Sequence, residues 1–473
     1  MNDPRRLRLV VTTLSTLLAA AAVMPAALSA ADGDFLGSGG LAFDLGGTQA
    51  DAGSAVAVQP DGKMVVAGTV ATGASSWTLA LARFLPDGSL DGSFGSAGRV
   101  INPFALGPNQ TGTAILRVAN GKLLVAGSLD YGSGDQDFYV GRLLDSGAAD
   151  PSFGLWGTGR NGVAFDLGDD GTDSLAAMTL DRSGRILLAG SVDISATDID
   201  FGVARFTPDG LLDNDFSGDG KQTVDIAGAA DLALAITDSN SGIVVAGTTW
   251  STALGGNFDI ALARLTANGS LDGSFGTGGT VAWSFNGGGT NNDIAWALGV
   301  WPDGEIVVGA DHAIGAGTWT WSLMRFAANG TLISDVLGNF CNPSPPCPGS
   351  RQESPRALLL QGDGKILMAG FGLGVAGNSD FGIARYSRDL VADTSFGGGD
   401  GALTYDFAHG IGADNDHGTA LALDRDGRIV VAGSAEWNGL DTDFAWARFD
   451  SAYIFADDFE WPGGWSRWSV VVP

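Results

Sequence analysis

A short phrase, in which a glycine is followed by a Val/Ile/Leu run that closes on Ala-Gly, recurs seven times along this chain. The copies end at Gly68, Gly127, Gly190, Gly247, Ala310, Gly370 and Gly433. Each copy is followed by an alternating stretch that ends in an arginine, and successive arginines lie 59 to 63 residues apart: Arg83, Arg142, Arg205, Arg264, Arg325, Arg385 and Arg448. Eleven residues later stands a phenylalanine, usually within Asp-x-Ser-Phe-Gly, or Val336 in one copy. Such regular spacing predicts a repeat architecture whose units share one structure.

Each unit of about 60 residues contains four short β-branched or alternating runs separated by Gly, Asn and Asp, which predicts four strands. One set of four runs is Arg99–Phe104, Thr113–Val118, Lys122–Ser128 and Asp137–Leu143. A sustained 3.6-residue periodicity is absent, so little helix is expected. The 74 glycines supply the tight turns between strands. The sequence therefore predicts an all-β fold, a seven-bladed β-propeller with four antiparallel strands per blade. A β-solenoid is the alternative, although its coils are usually much shorter.

The phrases PDGKMVVAG, LALARFLPDGSLDGSFG and FGVARFTPDGLLDNDF resemble the delta-60 repeat, a bacterial repeat assigned to a β-propeller domain of unknown function. The resemblance extends from about Asp34 to Phe459. It implies a propeller fold and export from the cell, and it carries over no catalytic residue. The segment after Arg325 departs from the pattern, because it lacks the Ser-Phe-Gly phrase and holds a Pro- and Cys-rich insert.

The first 31 residues predict a secretory signal peptide, because a basic start at Arg5, Arg6 and Arg8 precedes an apolar run and small residues at positions 29–31. We therefore expect a secreted, periplasmic or cell-surface protein with a signal of the Gram-negative kind. The predicted organisation is a signal peptide over 1–31, the propeller over 34–450 and a C-terminal tail over 451–473. The tail either closes the ring by pairing with the strands after Phe35 or serves in export or sorting.

Charge, hydropathy and cysteine content limit the compartment and the partners. Acidic residues outnumber basic ones by 53 to 25, and this net charge of -28 excludes non-specific binding to nucleic acid. No later stretch offers 18 uninterrupted apolar residues, so no membrane span is expected. We expect a monomer whose partner is an extracellular glycan or protein. Cys341 and Cys347 predict a local disulfide, with free thiols or a two-thiolate metal site as alternatives.

The seven repeat arginines lie in otherwise apolar strands, where a charge requires a partner. The units offer aspartates that could pair with them, among them Asp91, Asp213, Asp272 and Asp393. We predict a structural tie in every blade from the arginine to an aspartate or a carbonyl group, with a ligand-binding role as the alternative.

Successive connections of an up-and-down blade emerge on opposite faces. Connections from strand 2 to 3 and from one blade to the next are short or constant, whereas those from strand 1 to 2 and from 3 to 4 share the other face, and the first of these varies in length. Binding residues concentrate on loops held by a rigid scaffold, so the variable face is the predicted ligand site. Its candidates combine aromatic rings with acids and amides, which suits a polar ligand such as a glycan or a peptide: Trp77, Tyr131, Asp173, Trp250, Asn292, Trp319, Asp416 and Trp437. Ordinary turn formation by Asp and Asn is the alternative.

Calcium is a candidate ligand, although the sequence requires no cofactor. Asp213, Asp215 and Asp219 place oxygen atoms at the alternate positions that calcium loops use, as does the run Asp414–Asp416. Neither run completes an EF-hand, because the final bidentate glutamate is missing.

Motifs for catalysis are lacking. The chain has three histidines, His312, His409 and His417, and neither a Gly-x-Ser-x-Gly elbow nor an HExxH sequence. We expect a binding or interaction scaffold rather than an enzyme. One alternative is a carboxylate-based enzyme such as a glycosidase or lyase, whose acids would meet only in three dimensions. Another is a purely structural cell-surface protein.

Overall fold

The structure is a computed structural model, and it describes residues 39–45, 50–73, 75–107, 109–118, 121–131, 135–165, 171–195, 197–228, 230–251, 254, 256–285, 291–315, 318–338, 340, 353–373, 378–397, 401–407, 415–437 and 441–449. These residues form 28 β-strands and no α-helix. In chain order the strands are β1 Gly39–Phe43, β2 Asp51–Val58, β3 Met64–Gly73, β4 Ser76–Phe84, β5 Arg99–Ile101, β6 Ala114–Arg117, β7 Leu123–Asp130, β8 Gln136–Leu143, β9 Arg160–Val163, β10 Ser174–Leu180, β11 Ile186–Ser195, β12 Asp198–Phe206, β13 Lys221–Val224, β14 Asp231–Ser239, β15 Gly242–Ser251, β16 Asn257–Leu265, β17 Thr280–Trp283, β18 Asp293–Val300, β19 Ile306–Gly315, β20 Thr318–Phe326, β21 Leu332–Leu337, β22 Ser354–Leu360, β23 Ile366–Leu373, β24 Ser379–Tyr386, β25 Ala402–Tyr405, β26 Asp416–Leu423, β27 Ile429–Trp437 and β28 Asp441–Phe449.

The strands form seven antiparallel sheets of four, which are the blades of a β-propeller. Blade 1 comprises β2–β5, blades 2 to 6 each take the next four strands, and blade 7 combines β26–β28 with β1. The first strand of each blade is innermost, and β2 packs against both β26 and β6 of its neighbours. The predicted all-β, seven-bladed fold is confirmed.

The N-terminal strand closes the ring. β1 pairs with β28 in antiparallel register from Gly39 opposite Arg448 to Phe43 opposite Phe444, and it becomes the outermost strand of blade 7. The backbone amide of Gly40 also donates to the Tyr405 hydroxyl of blade 6 at 2.8 Å. Hydrogen bonds between the two ends of the chain therefore hold the first and last blades together.

The blade is offset by one strand from the predicted unit. The run that begins at Arg99 forms β5, which pairs with β4 and is the outer strand of the preceding blade. In blades 1 to 6 the constant passage that follows the repeat arginine therefore leads from strand 3 to strand 4 of the same blade. The prediction that this passage joins consecutive blades is wrong, because the outer strand bonds to the strand before it in the chain. The departure after Arg325 follows the same rule, since β21 pairs with β20.

The glycine of the recurring Ala-Gly pair lies close to the backbone of the neighbouring inner strand. Six inner strands carry a β-bulge at the same depth, as between Ala233 and Ala235 in blade 4. A Cβ atom on Gly247 would collide with the carbonyl oxygen of Leu232 on the bulged strand. Glycine at this place therefore lets the second strand pair with a bulged partner.

Five of the seven repeat arginines donate from Nε to an aspartate eight residues later, at 2.7–2.8 Å. The pairs are Arg83–Asp91, Arg142–Asp150, Arg205–Asp213, Arg264–Asp272 and Arg385–Asp393. Arg325 pairs instead with Glu305 at 2.8 Å and with Asp389 at 2.7 Å. Arg448 donates to the carbonyl oxygen of Pro86 at 2.7 Å, across the junction that closes the ring.

Several predictions concern residues outside the described part of the chain. They include the signal peptide over 1–31, Cys341, Cys347 and the tail over 451–473, and they remain predictions. The described residues contain no helix that could span a lipid bilayer.

Candidate functional site

Two sets of loops emerge on the same side of the propeller: those from an outer strand to the next inner strand, and those from strand 2 to strand 3 of a blade. We call this side the variable face and the opposite side the turn face. The turn face carries the tight turns from strand 1 to 2, such as that at Gly62, whose φ is 84°. The offset of the blade changes the names of the connections and leaves this division intact.

The aromatic candidates of the variable face differ in exposure. Tyr131 is 59% exposed, whereas the side chains of Trp77, Trp250 and Trp319 are half-buried. Trp250 packs edge-on against Phe258, with ring centroids 5.0 Å apart. The side chain of the remaining candidate, Trp437, lies outside the described part of the structure.

Trp77 and Tyr131 belong to neighbouring blades and meet at one loop. The amide of Asn109 donates to the Trp77 carbonyl at 3.0 Å, and the Asn109 carbonyl accepts from the amide of Asp130 at 2.8 Å. The loop that crosses from blade 1 to blade 2 is therefore bound to both of the segments that carry these rings.

A cavity of about 220 Å³ opens beside this crossing loop. Its walls are Ala105, Leu106 and Gly107 of the loop, Leu129, Asp130 and Tyr131 at the end of β7, and Arg160 at the start of β9. An exposed aromatic ring, a carboxylate and a guanidinium thus face one space. Such a combination can stack on a sugar ring and exchange hydrogen bonds with its hydroxyl groups.

Arg160 lines the cavity, and its Nε atom is buried and has no hydrogen-bond acceptor among the described residues. A buried donor that lacks an acceptor costs free energy. A ligand oxygen would relieve that cost if the Arg160 side chain turned its guanidinium toward the cavity. Arg160 is not among the residues predicted from the sequence, because it lies outside the repeated phrases.

The cavity wall is braced by two amide side chains. The Asn102 side chain donates to the Leu106 carbonyl at 3.1 Å and accepts from the Leu106 amide at 3.0 Å. The buried Gln110 donates to Asn102 Oδ1 at 3.0 Å and to the Gly107 carbonyl at 3.2 Å. The loop is therefore held in place before any ligand arrives.

A sevenfold ring of acidic or amide side chains underlies the variable face. Its members occupy equivalent positions at or just before the start of the inner strands. This position lies opposite the second residue after the Ala-Gly phrase, as Asp231 lies opposite Thr249. Each member is at most 1% exposed: Asp51, Gln110, Asp173, Asp231, Asp293, Glu353 and Asp416. Asp173 Oδ2 accepts from the amide of Phe165 at 2.8 Å, and Asp416 Oδ2 accepts from that of Phe407 at 2.9 Å. These carboxylates accept hydrogen bonds from the backbone of the loops that cross from one blade to the next.

The predicted ligand residues Asp173 and Asp416 therefore lie inside the protein as members of this ring. The third polar candidate, Asn292, accepts from the amide of Phe258 through Oδ1 at 3.1 Å. All three contact the backbone of a loop or strand near the variable face.

At three junctions between blades, two further carboxylates lie beside the aspartate that belongs to the ring. One comes from the third strand of the preceding blade, five residues before the repeat arginine, and one follows its outer strand. In each group one oxygen per residue lies within 4.8 Å of the others: Asp200, Asp225 and Asp231 between blades 3 and 4, Asp380, Asp406 and Asp416 between blades 6 and 7, and Asp443, Asp44 and Asp51 between blades 7 and 1.

Burial and mutual repulsion change the protonation of these acids. Burial, together with repulsion from neighbouring carboxylates, Asp198 first, raises the pKa of Asp200 to about 7. Burial also raises the pKa of Asp231 to about 6 and that of Asp416 to about 7. Groups with such values are candidates for proton transfer or cation binding.

The calcium candidates Asp213, Asp215 and Asp219 occupy the turn face. Asp213 accepts from Arg205 Nε at 2.7 Å, and Asp219 Oδ1 accepts from the amide of Lys221 at 3.0 Å. Asp215 is exposed, and its amide donates to Asp213 Oδ1 at 3.2 Å. Asp213 thus belongs to the arginine tie of its blade.

The acids that the structure brings together at the blade junctions leave only a weak pattern in the sequence. The ring member stands 16 or 17 residues before the last residue of the recurring phrase, as in the interval from Asp231 to Gly247. Asp200 stands five residues before Arg205. Aspartates near loops are common turn formers, so this spacing does not distinguish them without the fold.

Known proteins resemble this chain at the level of fold. Six segments match the family model described as "Domain of unknown function (DUF5122) beta-propeller", at residues 59–94, 119–153, 182–216, 241–275, 302–332 and 361–396. These segments are similar to the repeats of that family, and the delta-60 name stays a prediction. No curated protein matches the chain.

Three solved structures illustrate the likeness. A protein of unknown function from Dyadobacter fermentans is 12% identical, with a TM-score of 0.42 over 88% of this chain and 100% of that chain. An ulvan lyase of polysaccharide lyase family PL25 is 10% identical, with a TM-score of 0.46 over 83% and 96%. An α-L-arabinofuranosidase from Fusarium graminearum is 11% identical, with a TM-score of 0.39 over 72% and 92%. Similarity at this level assigns no activity to this chain.

Proposed function

We propose that this protein is an exported binding scaffold that holds a glycan in the cavity between blades 1 and 2. The observation that carries the proposal is that exposed Tyr131 lines one cavity together with Arg160, whose Nε lacks an acceptor among the described residues. A sugar offers an apolar ring face for the tyrosine and a hydroxyl or carboxylate oxygen for the arginine.

Asp130 adds the complementary function in the same wall. Its carboxylate accepts hydrogen bonds and Arg160 donates them, so a ligand there needs both donors and acceptors. Hydroxyl groups provide both, whereas a simple anion would be repelled by Asp130. This pairing favours a glycan over an inorganic or purely anionic ligand.

The junction that holds the cavity is also less acidic than its counterparts. Thr78 and Gln110 stand where the junction of blades 3 and 4 has Asp200 and Asp231, and Pro103 stands where that junction has Asp225. A neutral, hydrogen-bonded base can support the cavity without repelling electron-rich ligand oxygens.

Binding fits the geometry better than carboxylate catalysis. A glycosidase needs two carboxyl groups that flank the scissile bond of a bound substrate. Asp200 is only 6% exposed and Asp231 is fully buried, and neither lines the cavity. The acids with raised pKa values are therefore out of reach of a sugar held against Tyr131.

An array of neutral and uronic-acid oligosaccharides, with peptides as a second class, tests the proposal. We expect the purified protein to bind at least one glycan, and we expect Tyr131→Ala to weaken that binding about tenfold, or about 1.4 kcal/mol. The matched control is Trp156→Ala, which removes a ring that is 91% exposed on the turn face. Peptide binding alone, or equal glycan binding by Tyr131→Ala and wild type, would contradict the proposal.

Export is part of the proposal and depends on the signal-like segment over residues 1–31. Expression of the full chain in a Gram-negative host should release a protein whose first residue, by mass spectrometry, is Asp32. An uncleaved chain in the cytoplasm would contradict export and leave the glycan test unaffected.

A further inference from the structure

We propose that Asp200, Asp225 and Asp231 form a calcium site at the junction of blades 3 and 4. The site lies on another part of the variable face from the glycan cavity, and neither proposal depends on the other. Calcium binds oxygen ligands, and carboxylates are prominent among them.

Three segments bring these carboxylates together. Asp200 comes from the third strand of blade 3, β12, and Asp225 directly follows the outer strand of that blade, β13. Asp231 begins β14, the inner strand of blade 4. One oxygen of each residue lies within 4.8 Å of the others, so a single cation can contact all three.

The Asp200 side chain is the independent observation that indicates a ligand. It is 6% exposed, and its Oδ1 atom is fully buried with no hydrogen-bond partner in the part of the chain that the structure describes. Buried carboxylates in proteins are paired, hydrogen-bonded or metal-bound. Because Asp200 has an oxygen in the group of three, a cation at that point would compensate its burial.

The other two carboxylates retain partial support from the backbone. Asp231 Oδ2 accepts from the amide of Ile226 at 2.5 Å, and Asp225 Oδ1 accepts from that of Gly228 at 2.6 Å. These bonds orient the carboxylates and leave oxygen atoms for a metal. No lysine, arginine or histidine within the described ranges forms an ion pair with any of the three.

Asp198 increases the negative charge further. Its Oδ1 atom is buried without a hydrogen-bond partner, and its charge acts on Asp200. Blades 4 and 6 have Asn257 and Asn378 at the same position, and each donates from Nδ2 to the aspartate two residues later, at 3.2 and 2.9 Å. Blade 3 therefore has an acceptor where two other blades have a donor.

At the junction of blades 4 and 5, one of the three acids is missing and a histidine contacts the aspartate of the ring. There Ser284 replaces the second aspartate, and the ring member Asp293 contacts His312 Nδ1 at 2.6 Å. Where three acids converge between blades 3 and 4, the uncharged Thr249 takes the place of this histidine opposite Asp231. A bound cation would therefore supply the positive charge that His312 can supply in the next junction.

The experiment counts bound calcium on the full-length protein. Equilibrium dialysis at about 2 mM free calcium, above the dissociation constants typical of extracellular modules, gives the number of ions per chain for wild type, Asp200→Asn and Asp225→Asn. We expect each variant to bind one ion fewer than wild type. Terbium luminescence excited through tryptophan should fall in the same variants.

Asp215→Asn is the matched control, because it removes an equal charge from the alternative calcium loop on the turn face. We expect it to bind as many ions as wild type. A wild type that binds no calcium, an Asp200→Asn variant with the full number, or a loss in Asp215→Asn alone would each overturn the proposal. Circular dichroism identifies any variant that fails to fold, and Asp225→Asn, at an exposed position, then decides the question.

Discussion

The Nε atom of Arg83 donates to Oδ2 of Asp91 at 2.8 Å, and both residues are almost fully buried. The Arg83 guanidinium also lies over the ring of Phe94, 4.6 Å from its centroid, and donates from Nη1 to Asp145 Oδ1 of blade 2 at 2.8 Å. Although burial raises the pKa of Asp91, hydrogen bonds from Ser93 and the nearby cations hold it well below its usual range. The Arg83 side chain therefore links its own strand, the connection that follows this strand and the next blade.

Replacing this arginine should destabilise the fold. We expect Arg83→Met to lower the free energy of unfolding by about 3 kcal/mol, because it leaves the Asp91 carboxylate buried with Lys63, 3.2 Å away, as its remaining cation. Urea unfolding measures the change. Arg117→Met, at an exposed position of β6, is the control and should cost less than about 0.5 kcal/mol. Equal losses in the two variants would show that the tie contributes no specific stability.

Ring closure should be sensitive to a single methyl group. A Cβ atom on Gly40 would lie 2.5 Å from Tyr405 Cε1 and 2.6 Å from Phe407 Cε1. We expect Gly40→Ala to cost about 1–3 kcal/mol, because β1 must move away from blade 6. Gly92→Ala is the control, since no atom lies within 4 Å of its added Cβ. Unchanged thermal stability of Gly40→Ala would mean that β1 does not hold the ring closed.

Asp173 should control the motion of one crossing loop. Asp173→Ala removes the acceptor of the Phe165 amide and should cost about 1–3 kcal/mol, whereas Asp173→Asn retains an oxygen and should cost less. Hydrogen exchange reports the local effect, and the Phe165 amide should exchange faster in the alanine variant. Equal protection of that amide in all three proteins would contradict the structural role of the acid ring.

The contribution of Asp311 to stability should fall as pH rises from about 4 to about 7. Burial raises the pKa of Asp311 to about 7, above the value of about 3.9 for an unfolded chain. Folding therefore favours the protonated acid, and this contribution is fully present below about pH 4 and lost as pH rises through about 7.

Asp311→Asn isolates that contribution. Between about pH 4 and 7, the unfolding free energy of wild type should fall relative to this variant by up to about 1.4 kcal/mol per pH unit. Urea unfolding with a chelator present measures the difference. Asp61→Asn, at a surface turn, should keep the wild-type slope. A variant slope equal to that of wild type would show that Asp311 does not take up a proton on folding.

The repeated phrases predict the blades well, because their signals are local. An Asp-Gly turn such as Asp61-Gly62 requires a positive φ at glycine wherever it occurs, and the arginine tie joins residues only eight positions apart. The pairing of β5 is different. It could bond to the strand before it or to the strand after it, and long-range packing makes that choice.

The candidate sites depend on contacts that no local pattern encodes. Asp200 and Asp231 lie 31 residues apart on different blades, and Arg160 reaches a cavity whose other walls precede it by about 30 to 55 residues. Sequence spacing assigned Tyr131 to the variable face because its loop shares a face with the connections that vary in length. It could not show that the ring would stand beside an arginine with a free donor.

The most direct test of a glycan site between blades 1 and 2 is calorimetric titration of the best array ligand into wild type, Arg160→Met and Arg182→Met. Arg182 is an exposed arginine on the turn face and serves as the charge-matched control. Loss of the ligand oxygen's donor should weaken binding to Arg160→Met at least about tenfold, and Arg182→Met should bind within about twofold of wild type. Equal affinity of Arg160→Met and wild type would contradict the assignment of this cavity as the ligand site.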